Sequence, residues 1–252
     1  MPSRSASAIE GCIAELSSKA DLRRYTTTDA VADLEAVRKA IGAQFEGTPV
    51  IQRVQSTHIR APGLLSRLPG KPLRLIGVHA KSKAPHGQMS QAQFIRISIE
   101  NRRKQLAECQ WLRRRIDSHL AAGASVIVLG DLNDGPGLDE YEKLFGHSGV
   151  EIVLGLNSGA EMHLYDPHAH MALAQKTGIS PTTARFWLAP QKRYFEALLD
   201  FIMVSPDLAA RAPDWRIWHP FNDPAVMAIP ELRDALLTAS DHFPVTIDLE
   251  IN

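Results

Sequence analysis

The sequence predicts an α/β fold, and three observations carry that prediction. LRLIGV at 73–78 is a β-compatible apolar run that stops at His79; an amphipathic stretch extends from Gln91 to Ala122; SVIVL at 125–129 is a second apolar run, ended by the turn-rich GDLNDGPG. The order strand, helix, buried strand, with polar loops where the apolar runs stop, is what helices layered on a sheet require. Composition bounds the rest. The 252 residues are 44% hydrophobic and 22% charged, near the averages for globular chains. Lys plus Arg number 28 and Asp plus Glu 28, so the formal net charge is zero, which excludes a globally basic nucleic-acid coat or a polybasic membrane clamp. No apolar run approaches the roughly 18 residues of a membrane span. Glu10 and Glu15 interrupt the start where a signal peptide needs an unbroken apolar stretch, and Cys12 and Cys109 form no paired motif. The expectation is a cytoplasmic chain in reducing surroundings with no membrane span; its oligomeric state is open.

Taken in order, residues 1–46 read as a helical N-terminal segment, with Val31, Leu34, Val37, Ile41 and Phe45 along one face. A domain of 47–252 follows. After the 73–78 strand comes the basic loop AKSKAPHG, then the long helix, whose buried stripe is Leu106, Cys109, Leu112, Ile116 and Leu120 and whose C-terminal stop is Gly123. Arg102, Arg103, Lys104, Arg113, Arg114 and Arg115 lie on its other faces and read as solvated. The 125–129 strand follows, and 155–190 reads as an irregular surface insertion. LLDFIMV at 198–204 is an apolar strand containing Asp200, and FPVTIDL at 243–249 alternates as a final strand. Between them, 212–224 reads as a loop whose Trp215, Trp218 and Phe221 pack over a sheet edge or, alternatively, stack on a base or lipid. Neither an internal repeat nor an interdomain linker is visible.

Polar residues cluster at the ends of these strands or inside them: His79 with Lys81, Asp131 with Asn133, Asp200, and Asp241 with His242. A carboxylate inside LLDFIMV is costly to bury without a partner, so Asp200 is expected to meet a cation, a donor or an imidazole.

GVHAKSK (77–83), VIVLGDLND (126–134), LLDFIMVS (198–205) and SDHFPV (240–245), in this order, resemble the motifs of the endonuclease/exonuclease/phosphatase superfamily. The resemblance implies a DNase I-like two-sheet sandwich flanked by helices. It also implies a metal-dependent phosphodiester hydrolase, a nuclease acting on nucleic acid, with Mg²⁺ or Mn²⁺ as cofactor. On that model Asp131 orients the attacking water, Asn133 and His79 donate to phosphoryl oxygens, and His242 contacts the phosphate while Asp200 fixes its tautomer. Asp241 is then the hard-oxygen metal ligand. The family's first strands, bearing an Asn and a Gln-Glu pair whose Glu is the principal metal ligand, find no counterpart before His79, so the fold is expected to be truncated at its N-terminus. Two alternatives follow from the same motifs: a lipid or small-molecule phosphodiesterase or phosphatase, and a non-catalytic remnant without its metal-binding Glu.

Overall fold

The computed structural model describes residues 44–46, 54–58, 73–85, 87, 89–135, 145–174, 180–188 and 192–249. In chain order its elements are β1 (Gln44–Glu46), β2 (Val54–His58), β3 (Leu73–His79), α1 (Gln91–Ala121), β4 (Ser125–Asp131), α2 (Gly149–Leu154), α3 (Pro167–Leu173), β5 (Ala184–Leu188), β6 (Arg193–Ala197), β7 (Asp200–Val204), α4 (Pro206–Ala209), β8 (Asp214–Ile217), α5 (Pro224–Met227), α6 (Pro230–Ala239) and β9 (Val245–Asp248). Five strands form the central sheet in the order β1-β2-β3-β4-β7, and β5-β6 and β8-β9 form two-stranded sheets. Among the described strands only β3 and β4 run parallel, which is possible because α1 carries the chain back between them.

Period-two alternation sorts the central strands onto two faces. Ile76, Val78, Val126, Val128, Phe201 and Met203 pack with Leu112 and Ile116 of α1 and with Val150, Val153 and Leu154 of α2. Leu73, Leu75, Ile127, Leu129, Ile202 and Val204 pack on the opposite side with Trp215, Val245 and Ile247, carried by β8 and β9. The result is the α/β layering expected, with helices on one face and a second, smaller sheet on the other. α1 begins at a capping box, with Ser90 accepting from the Gln93 N–H and the Gln93 side chain answering the Ser90 N–H, and Gly123 beyond its end has φ of +74°. Gly130 (φ +129°) is obligatory: a Cβ there would overlap the Val78 carbonyl across the β3–β4 pair.

Four expectations need correction. Gln44–Glu46 is an outer strand paired antiparallel to β2, with Glu46 opposite Ser56, and not the tail of a helix; the rest of the 1–43 pattern lies outside the described residues. The 155–190 stretch is not irregular throughout. It contains α3, started by the Asp166 carboxylate accepting from the Ala169 N–H, and β5, paired with β6. Residues 214–217 form β8, because β9 supplies the backbone partners that a loop would lack. Finally, α1 does not expose all its cations: Arg102 and Arg113 are buried. Arg113 donates to the carbonyls of Val153 (3.0 Å) and Met162 (2.7 Å) and to Asp117 (2.9 Å).

Candidate active site

Strand register builds the site. His79 ends β3 opposite Asp131 at the end of β4, and Asp131 stands opposite Asp200 at the start of β7. Alternation puts all three on the face that carries Leu75, Leu129 and Ile202, which is the face covered by β8 and β9. His242, just before β9, arrives from that second layer, and its Nδ1 lies 2.8 Å from Asp200 Oδ2. The carboxyl ends of parallel strands and the gap between two layers are where α/β folds offer concave polar surface.

Asp131 is held on both oxygens. The Asn133 N–H donates to Oδ1 (2.6 Å) and the Asn133 amide nitrogen to Oδ2 (2.8 Å), and the same amide donates to the Ala80 carbonyl (3.0 Å). Asn133 takes φ of +49°, a left-handed turn that Asn tolerates better than most residues. His79 Nε2 lies 3.5 Å from Asp131 Oδ2 on an exposed rim. Burial pushes the Asp131 carboxyl above its ordinary pKa against the Asn133 N–H bond, and the Asp200 charge adds to the rise. The Asp200 hydrogen bond pushes the His242 imidazole up to about 9, with the charges of Asp200, Asp131 and Asp241 helping and desolvation opposing. A charged imidazolium therefore faces a desolvated carboxyl group, which is the pairing that acid–base and electrostatic catalysis use.

Five of the six residues expected at the site thus meet. Asp241 does not join them: it is exposed, and the group of potential metal ligands among the described residues is Asp131, Asp200 and His242, with ligand atoms within 4.8 Å of one another. The donor chemistry fits a divalent cation held by carboxylate oxygens, because Asp131 and Asp200 stand opposite each other at the strand ends with ligand atoms within 4.8 Å. The His242 Nδ1 is already committed to Asp200. The N-terminal Asn and Gln-Glu motifs expected to be missing concern a stretch whose side chains lie outside the described residues.

Beneath the site is a polar layer that strand-end motifs did not reveal. Gln105, fully buried on α1, donates to the carbonyls of Leu132 (3.1 Å) and Asn133 (2.8 Å) and accepts from Arg102 (2.7 Å). Arg102 pairs with Asp134 at 2.7 Å, and Asp134 also meets Lys83 at 2.8 Å and the Gly149 N–H. A cavity of about 270 Å³ opens beside Asn133 and Lys83, with Phe94, Phe186, Phe195 and Leu199 in its walls. Among the described residues no helix is long and apolar enough to cross a membrane.

A family model described as the endonuclease/exonuclease/phosphatase family matches residues 40–242, beginning inside the segment set apart as helical. Solved structures similar to this chain include a 3'-5' exonuclease, NExo, from Neisseria meningitidis, at 19% identity over 82% of this chain and 70% of that one, with a TM-score of 0.44. The catalytic domain of Xenopus laevis APE2 is 17% identical over 78% of this chain and 55% of its own length, with a TM-score of 0.39. A humanized D. rerio TDP2 is 15% identical over 82% and 66%, with a TM-score of 0.40. No curated protein matches the chain.

Proposed function

Because the chain belongs to the endonuclease/exonuclease/phosphatase family, we propose that it is a divalent-metal-dependent phosphoesterase whose substrate is a nucleic-acid phosphodiester. The observation that carries this reading is the convergence of Asp131, Asp200 and His242, whose ligand atoms lie within 4.8 Å of one another, with His242 Nδ1 2.8 Å from Asp200 Oδ2. Asp131, fixed on both oxygens by Asn133, is placed to accept a hydrogen bond from the attacking water and align it. Both Asn133 amide hydrogens are used on Asp131 and the Ala80 carbonyl, so Asn133 acts by fixing the Asp131 carboxylate, not by donating to phosphate. With Nδ1–H given to Asp200, His242 presents Nε2–H and a full positive charge to a phosphoryl oxygen. His79, on the exposed rim, supplies a second donor to the phosphate. A cation held by Asp131 and Asp200, Mg²⁺ or Mn²⁺ by donor type, would neutralise charge on the phosphate oxygens.

The cavity beside Asn133 favours a nucleic acid over a polyphosphorylated ring. Its walls are mostly aromatic and aliphatic, suited to a sugar or base beside the phosphate, and the two cations that line it, Lys83 and Arg102, are both engaged by Asp134, where several phosphates would demand several cations. The test is a Mg²⁺ and Mn²⁺ titration against plasmid DNA and a chromogenic phosphodiester. Turnover that needs the metal and falls at least about 100-fold in Asp131→Ala is expected, the scale of one general base. No turnover by the folded protein at any metal concentration supports the non-catalytic reading, and hydrolysis of lipid phosphodiesters alone replaces the substrate.

A further inference from the structure

A second cavity, of about 610 Å³, adjoins the site, and Asp241 and Phe243, the residues flanking His242, both line it. The β5–β6 hairpin separates the two cavities: Phe186 and Phe195 face the first, Arg185 and Tyr194 the second. Its size is that of a small-molecule pocket. The Arg185 guanidinium carbon lies 4.4 Å from the ring centroids of both Tyr194 and Phe221. Yet Tyr194 is 57% exposed and Phe221 40% exposed, so two large rings stand in water around a cation. The Arg185 Nε is hidden from solvent without a hydrogen-bond partner, Glu196 Oε1 standing 3.5 Å off. The Phe221 wall is fixed from behind. Its N–H donates to Nδ1 of the buried His219 (3.2 Å), whose Nε2 meets Thr182 Oγ1 (3.1 Å).

Exposed aromatic faces beside a planar cation suit the π-face of a heterocycle. Asp241 can only accept hydrogen bonds when ionised, so it suits an amino edge such as that of cytosine and repels a further phosphate. We propose that the cavity bounded by Arg185, Tyr194, Phe221 and Asp241 is a stacking subsite for one unpaired nucleobase flanking the phosphate at Asp131 and His242. This rests on the nucleic-acid reading above and deepens it: the substrate presents a single-stranded segment here. Asp241 then serves recognition of the base, with its charge felt at His242.

The test compares binding, in a chelator that prevents turnover, of a short oligodeoxycytidylate and an abasic oligomer with the same number of phosphates. The protein should bind the base-bearing oligomer more tightly. Phe221→Ala should weaken that binding by about 5- to 150-fold, the range for one stacked base, and leave the abasic oligomer unaffected. Phe221→Leu, which keeps apolar volume and loses the ring, should behave like the alanine variant, which separates stacking from misfolding. Equal binding of both oligomers, or equal weakening of both by the variants, overturns the subsite while the phosphoesterase reading stands. Failure to bind either oligomer by a protein that cleaves a lipid phosphodiester overturns the nucleic-acid reading and the subsite with it.

Discussion

His242 carries its proton at neutral pH because Asp200 accepts from Nδ1, and that bond outweighs the desolvation that opposes the charge. In metal-free protein followed by NMR, the ring is expected to titrate near 9, and Asp200→Asn should return it toward the ordinary ~6.5, since an amide offers no charge. The sign of the stability effect follows. A histidine whose folded pKa is raised stabilises the fold fully below the unfolded value of about 6.5, and that contribution is lost as pH rises through about 9. Asp131 works in the same sense: with its folded pKa raised, ionisation above that pKa destabilises the fold. An unchanged titration in Asp200→Asn would mean that the hydrogen bond does not set the charge. At this scale the sequence was informative because His79, Asp131, Asp200 and His242 each interrupt or end an apolar pattern. The duty of Asn133 was hidden, since its amide is committed to Ala80, which comes 53 residues earlier. Asp241 and His242 read as one motif, but neighbours along extended chain turn to opposite sides, so one faces Asp200 and the other the second cavity.

Among the elements, α1 is the one that holds the turn after Asp131. Gln105 reaches under β4 to two carbonyls, and those carbonyls belong to the residues that follow Asp131. Gln105→Leu keeps the bulk but leaves the buried Leu132 carbonyl and the half-buried Asn133 carbonyl without that donor, at about 1–3 kcal/mol. A urea midpoint lowered to that extent is expected, together with a loss of turnover of at least about tenfold, because a sub-ångström shift of Asp131 misaligns the water. Turnover unchanged in a protein destabilised by that amount would make Gln105 a packing residue only. Helix and strand positions in the core were legible from periodicity, since both depend on neighbours a few residues away. The burial of Arg102 and Arg113 was not, because besides Gln105 and Asp117 one helical turn away they meet Asp134 and the carbonyls of Val153 and Met162, which lie far along the chain. α3 left a readable signal that went unused: Asp166 at the N-cap with Pro167 in the first turn. β8 left little, because its four residues become a strand only against β9.

Across the whole molecule, one carboxylate joins parts that the sheet alone does not connect. Asp134 is fully buried, and it binds Lys83 from the loop after β3, Arg102 from α1 and the N–H of Gly149 at the start of α2. Two cations and a backbone donor offset the loss of its hydration, and Arg102, 1% exposed, depends on it in return. Asp134→Ala would take from the buried Arg102 its carboxylate partner at 2.7 Å, and breaking a buried pair from one side costs about 3–5 kcal/mol. Replacing both ends is different, because Arg102→Met with Asp134→Ala removes the cation together with the carboxylate. Urea unfolding should therefore show a double variant less destabilised than the sum of the two single variants, with a coupling of about 0.5–3 kcal/mol, as for residues in one network. Asn133 adjoins Asp134, so the single variant should also lose turnover at urea concentrations where its secondary structure is intact. Additive losses, or an Asp134→Ala cost below about 1 kcal/mol, the scale of an exposed ion pair, would show that the hydrophobic faces alone hold the helices to the sheet and that the site tolerates their movement.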